Sequence, residues 1–144
     1  MRAPFQILVI PFRRTESAPK FAVLKRSDAD YWQFVAGGGE EGETPIQATQ
    51  RETLEEIGIT GDLTQLDSLS TVPTNCFAAA DSWSENVYVI PEHCFAVHAS
   101  NVDIRLSPEH TEFQWVSYEQ AYSLLRWDSN RNALWELNQR LMKE

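Results

Sequence analysis

The chain has 144 residues, 42% of them hydrophobic and 11% aromatic, a globular composition long enough to bury one substantial core. A formal net charge of −9 argues against broad affinity for nucleic acid or an anionic lipid surface, and no stretch is apolar for long enough to span a membrane. Cys76 and Cys94 are too few for a disulfide framework and lack metal-ligand spacing. Both are expected as free, buried thiols. With Met1 leading directly into an apolar run, the expectation is one domain over residues 1–144, located in the cytoplasm.

Residues 5–12 (FQILVIPF) predict a strand covered on both faces, and residues 13–20 a polar turn. Residues 21–26 (FAVLKR) predict a second strand in a hairpin with the first. Lys25 and Arg26 close it, either as a solvated strand end or as phosphate contacts. Residues 31–35 form a short aromatic strand, in which Trp32 and Gln33 either join the core or stack on and hydrogen-bond a flat ring. Further on, residues 63–72 predict a strand, and 77–80 and 81–86 a loop expected to line the substrate pocket. Residues 86–90 and 94–99 read as two strands broken by Pro91, and 113–116 as a final strand. Helices follow over 118–127 and 129–142, the second burying Ala133, Leu134, Leu137 and Leu141. His93 and His98 lack ligand spacing and read as surface or satisfied histidines.

The densest chemistry lies in residues 37–59, GGGEEGETPIQATQRETLEEIGI. Thr44 is an N-cap, Pro45 suits the first helical position, and Gly58 supplies a stop, so a helix is predicted over 45–57. Its spacing places Glu52, Glu55 and Glu56 on one face, with Ile46, Thr53, Leu54 and Ile57 on the side to be buried. Stacked carboxylates repel one another. They are either an exposed, solvated face or oxygen ligands for a hard cation, Mg²⁺ or Mn²⁺. Arg51, one turn before Glu55, can hold it in place. Gly37, Gly38 and Gly39 are expected to form a tight turn at the mouth of the site.

The order Gly37, five residues, Glu43, seven residues, then Arg51-Glu52-x-x-Glu55-Glu56-x-Gly58-Ile59 resembles the Nudix box of the Nudix hydrolases. It departs only at Thr53, where that family usually has an aliphatic residue. The resemblance covers nearly the whole chain. It implies an α/β fold with a mixed β-sheet in an α/β/α sandwich, and Glu52, Glu55 and Glu56 binding catalytic Mg²⁺ or Mn²⁺. The backbone carbonyl of Ala36 would be a further ligand. Glu109 would be the carboxylate arriving from outside the box, with Glu112 in reserve, and Glu52 and Glu109 share the general-base role. Lys25, Arg26, Trp32, Gln33, Gly37 and Gly38 sit where the family places its substrate strand.

The runs KRSDADYWQFVAGGGEEGET and Trp127 to Ala133 are similar to the dihydroneopterin triphosphate pyrophosphatase branch, some bacterial relatives of which are described as dATP pyrophosphohydrolases. That similarity implies a small-molecule partner, a pterin or purine triphosphate split to a monophosphate and pyrophosphate. Asn130 or Arg131 would serve the ring or the phosphates, against the plainer reading of a helix start with a surface cation. Gly39-Glu40 stands where relatives of the MutT kind often carry a phosphate-contacting Lys, which weakens an oxidised-nucleotide reading. Hydrolysis of ADP-ribose or a dinucleoside polyphosphate is the alternative within the class. A non-catalytic nucleotide sensor is the alternative outside it, although such modules usually lose box carboxylates. No nucleic-acid or membrane partner is expected, and the protein is expected as a monomer or homodimer.

Overall fold

The computed structural model describes residues 1–144. In chain order the elements are β1 (Arg2–Arg13), β2 (Lys20–Arg26), β3 (Trp32–Gln33), β4 (Val35–Glu40), α1 (Pro45–Ile57), β5 (Leu63–Pro73), β6 (Val89–His98), β7 (His110–Val116), α2 (Tyr118–Leu124) and α3 (Asp128–Met142). Two 3-10 turns, Thr74–Cys76 and Ala78–Ser82, lie between β5 and β6. No helix is long and apolar enough to cross a membrane.

The apolar run of β1 is buried on both sides because strand side chains alternate. Ile7 and Val9 face α1, packing with Ala48, Ile57, Phe95 and Val97. Leu8, Ile10 and Phe12 face the other layer, against Cys94, Ala96, Leu134 and Leu137. The result is a mixed sheet between helical layers, an α/β/α sandwich. Its strand order is β3-β2-β1-β6-β5, with β4 on β1 and β7 on β2. β1 runs parallel to β6 (Ile7↔His93, Ile10↔Ala96) and antiparallel to β4 (Leu8↔Ala36, Ile7↔Gly37). The expected β1–β2 hairpin is therefore short. It pairs only Phe12↔Phe21 and Arg13↔Lys20, because β4 claims the same edge of β1 from Val9 onward. Beyond that point β2 pairs with β7, Leu24 opposite Phe113.

Other expectations are corrected. β6 is one strand: Pro91 faces Thr71 of β5 but lies outside the β1 ladder, which begins at Glu92, so its missing N–H costs no bond there. Gly37–Gly39 are not a turn but part of β4, Gly37 and Gly38 pairing with β1 and Gly39 falling at a shift in register. The turn follows at Gly42, whose φ of 85° needs glycine. Cys94 is buried, but Cys76 is exposed.

α1 begins and ends as predicted. Thr44 and Gln47 form a reciprocal capping box, and Gly58 closes the helix at φ 69°. The buried stripe is different, consisting of Ala48, Thr49, Thr53, Glu56 and Ile57, while Ile46 and Leu54 are 46% and 53% exposed. Small residues at 48, 49 and 53 let the helix approach the sheet closely, turning the side of Glu52 and Glu56 inward. Thr53 is fully enclosed, and its hydroxyl has no hydrogen-bond partner.

Thr53→Val keeps the shape and removes that unpartnered hydroxyl. It should raise stability by about 1 kcal/mol in urea unfolding. Leu134→Ala should lower it by about 2–5 kcal/mol. Leu54→Ala, on the exposed side of α1, should stay within about 0.5 kcal/mol.

Candidate active site

Arg51 organises the first half of the site. Its guanidinium donates to both oxygens of Glu43, at 3.0 and 2.9 Å, to Glu52 Oε1 at 2.8 Å and to the Gly38 carbonyl at 2.8 Å. Glu55, the partner expected from helical spacing, is the most distant, at 3.4 Å. The Glu43 carboxylate also accepts from the Glu40 N–H at 2.8 Å, locking the loop that leads into α1. A Cβ at Gly37 would collide with the Glu52 carboxyl, so the bare backbone of β4 lies directly against that acid. Burial, tempered by Arg51, pushes the Glu52 carboxyl up to about 6.

Ala36 pairs with Leu8, and no strand covers the outer edge of β4. The Gly38 carbonyl leaves the ladder at that edge to meet Arg51. Carbonyls two residues apart in a strand point the same way, so the Ala36 carbonyl is directed to the same open edge.

The second half forms around Glu56, which is almost fully buried. Ser107 Oγ donates to its Oε2 at 3.0 Å, and His110 Nδ1 lies 3.3 Å from the same oxygen. That imidazole is buried and misaligned for a hydrogen bond, and its Nε2 has no partner. Burial works to raise the Glu56 carboxyl, but the His110 and Ser107 contacts outweigh it and hold it below its ordinary value. Glu109 reaches Glu56 closely enough to share a hydrogen bond, and burial together with the Glu56 charge raises it. Glu112 does not join them: it pairs across the ladder with Lys25.

The donor set fits a hard divalent cation. It is all oxygen, two of its carboxylates approach each other closely, and Glu52 carries added like-charge pressure from Glu55 and Glu56. No three of these acids converge on one point, because Arg51 holds Glu52 while Ser107 and His110 hold Glu56.

On the opposite face of the sheet lies a cavity of about 660 Å³. Of the expected substrate contacts, Arg26, Gln33 and Asn130 line it, as does Ala36, the expected metal ligand; Lys25, Trp32, Gly37, Gly38 and Arg131 do not. Lys25 is paired with Asp30 at 2.9 Å. Trp32 packs on the core, and its strand position bridges to Leu125. Arg131 is spent on the carbonyls of Tyr122 and Leu125 and on Asp128, fixing the α2–α3 connection. The aromatic walls are instead Phe77, Tyr31 and Trp127, the last two edge to face at 5.6 Å. Residues 78–80 and 81–86 stay outside. Trp83 is drawn away to the Arg2 carbonyl at 2.9 Å. Asn130 is largely structural, its Oδ1 accepting from the Phe34 N–H at 2.9 Å.

Arg26 joins the two halves. It lines the cavity, sits opposite His110 in the β2–β7 ladder and draws on the charge of Glu109. Its guanidinium is forked onto Asp28 at 2.6 and 2.8 Å. Sequence reasoning gave no site role to Glu43, Ser107, His110, Tyr31, Trp127 or Glu92. Glu43 stood in the box spacing, but Glu92 fell in the expected break between two strands, and the others carried no signal of their own.

Residues 5–136 match the family model for the NUDIX domain. The chain belongs to the Nudix family, hydrolases of phosphorus-containing acid anhydrides that generally use a divalent metal. A NUDIX crystal structure from Listeria monocytogenes is 46% identical, with a TM-score of 0.90 over 98% of this chain and 96% of that one. Dihydroneopterin triphosphate diphosphatase of Escherichia coli is 30% identical over 137 residues, covering 92% of this chain and 91% of that protein. The structure of the E. coli dihydroneopterin triphosphate pyrophosphohydrolase matches with a TM-score of 0.77 at 26% identity, covering 96% of this chain and 97% of that one. The chain is also 30% identical over 129 residues to an octanoyltransferase of Myxococcus xanthus, of which it spans 34%.

Because Glu52 is raised from 4.5 to about 6, the folded protein in that interval keeps a proton that the unfolded chain would release. A divalent cation competes for the same oxygens. Binding should therefore weaken as pH falls through about 6 and should release a proton below it. Mg²⁺ calorimetry in buffers of different ionisation heat should show this release, and Glu52→Gln should reduce it, leaving the share of Glu109.

Proposed function

We propose that this protein is a Mg²⁺-dependent pyrophosphohydrolase of a nucleoside-triphosphate-like small molecule, a pterin or purine triphosphate, yielding the monophosphate and pyrophosphate. The observation that carries this reading is continuity. Arg26 lines a ring-sized, aromatic-walled cavity and interacts with the charge of Glu109, the partner of Glu56, while Arg51 holds Glu52 on the same helix as Glu56. Similarity to the E. coli dihydroneopterin triphosphate diphosphatase over most of both chains supports the same substrate class. With a net charge of −9, polyanion binding falls to local groups and the cation rather than to a basic surface, which favours a small substrate over nucleic acid. A buried and an exposed thiol without a disulfide suit a reducing cytoplasm.

In the reaction, a water oxygen forms a bond to phosphorus. The bridging P–O bond breaks, and its electron pair leaves with the pyrophosphate. A divalent cation held by Glu52, Glu56 and Glu109 would supply a lowered pKa for the attacking water and neutralise phosphate charge. Glu52 is the favoured proton acceptor, since a carboxyl raised to about 6 holds a proton well near neutral pH. Glu56, Glu109 and Glu55 complete the oxygen donors, with the Ala36 carbonyl at the open edge. Arg51 positions Glu52, and Ser107 and His110 position Glu56. Arg26 meets the phosphates at the mouth of the cavity, and Tyr31, Trp127 and Phe77 enclose the ring.

Product analysis with Mg²⁺ and dihydroneopterin triphosphate, dATP, dGTP, ADP-ribose and a diadenosine polyphosphate tests the assignment. Pyrophosphate from a triphosphate is expected, and preferred cleavage of ADP-ribose or the dinucleotide would overturn it. Glu56→Gln should lower kcat by about a hundredfold or more with the urea midpoint preserved. Near-wild-type turnover by that variant would remove Glu56 from the site.

A further inference from the structure

Within the cavity one group has no role in phosphate chemistry. Glu92, on β6, is only 7% exposed and has no arginine or lysine partner. Ser70, opposite it on β5, donates to its Oε1 at 3.2 Å, and Ser129 at the start of α3 lies within hydrogen-bonding reach. A buried carboxylate without a cation is costly, and two hydroxyls satisfy only part of its acceptor capacity. The remainder faces the cavity.

A second group points the same way. Gln33, 5% exposed, lines the cavity, and its side-chain amide makes no hydrogen bond within the protein. Asn130 cannot substitute for either group, because its Oδ1 is taken by Phe34 and its Nδ2 donates to Ser129. The register sets the distance between the two ends of the site. Gly38, Gln6 and Glu92 stand in one row across β4, β1 and β6, so Glu92 lies two strand spacings, about 10 Å, from the strand held by Arg51.

We infer that Glu92 is a specificity-determining residue whose carboxylate accepts two adjacent N–H donors from the substrate ring, with Gln33 beside it. The inference rests on the reading of this cavity as the ring end of a triphosphate site. A 2-amino-4-oxo pyrimidine edge, shared by pterins and guanine, presents a ring N–H next to an exocyclic amine. Adenine presents a ring nitrogen acceptor there, whose lone pair would face the carboxylate. Glu92 therefore selects the 2-amino-4-oxo edge and rejects the 6-aminopurine.

The test separates ring recognition from catalysis. Binding of neopterin monophosphate, GMP and AMP is measured by calorimetry on the full chain in chelator, alongside hydrolysis of the matching triphosphates with Mg²⁺. Neopterin monophosphate or GMP should bind at least about tenfold more tightly than AMP. Whichever of the two binds better identifies the source of the edge. Glu92→Gln replaces one acceptor with a donor and should erase that preference, with AMP binding retained or improved. Equal or tighter AMP binding by the wild type would overturn the inference, as would equal weakening of all three ligands in the variant or binding of none. Ring preference without hydrolysis would instead count against the proposed reaction alone.

Discussion

The guanidinium of Arg51 binds three parts of the chain that would otherwise separate. It holds Glu43 from the loop before α1, Glu52 within α1 and the Gly38 carbonyl of β4. Each partner accepts, and together with Glu55 they concentrate negative charge that would repel without a cation among them. The same carboxylates raise the pKa of Arg51, so its charge is permanent in any ordinary solution. A lysine could not replace it, because one ammonium cannot fork onto Glu43 while also reaching Glu52 and a backbone carbonyl. The close approach of α1 to β4 follows from this knot, and glycine at 37 follows from the approach.

The site is built on two faces of one sheet. The carboxylates gather on the α1 side, and the cavity opens on the α3 side. They meet where the sheet is incomplete. β3 is two residues long, β4 has an uncovered outer edge, and Asn130 of α3 satisfies the Phe34 N–H between them. Arg26, which lines the cavity, is already neutralised in part by Asp28.

Both halves use buried acids, but differently. Glu56 is stabilised as a carboxylate by a hydroxyl and an imidazole, while Glu52 and Glu92 are pushed towards their neutral forms by burial. These contrasts arise from neighbours supplied by distant segments: Ser107 and His110 for Glu56, and Ser70 and Ser129 for Glu92. They give identical side chains separate roles in one small protein.

Much of this was legible in the sequence because it is local. The cap Thr44, Pro45, Gly58 and the i, i+3 and i, i+4 acids lie within one helix, where 3.6-residue periodicity fixes neighbours. The doubly covered β1 was equally clear from its continuous apolar run. What the sequence could not show depended on which strands met. The choice of β4 over β2 as the partner of β1 turned an expected glycine turn into a strand and rotated α1, exposing Ile46 and Leu54. Trp32 packs on the core, while Tyr31, the residue before β3, lines the cavity with Gln33. The α2–α3 connection claimed Arg131 and brought in Trp127. Spacing along the chain determined α1 and its acidic face by itself. The cavity is assembled from β1 to β6 and the start of α3, elements far apart in the chain, so only tertiary packing could decide its walls.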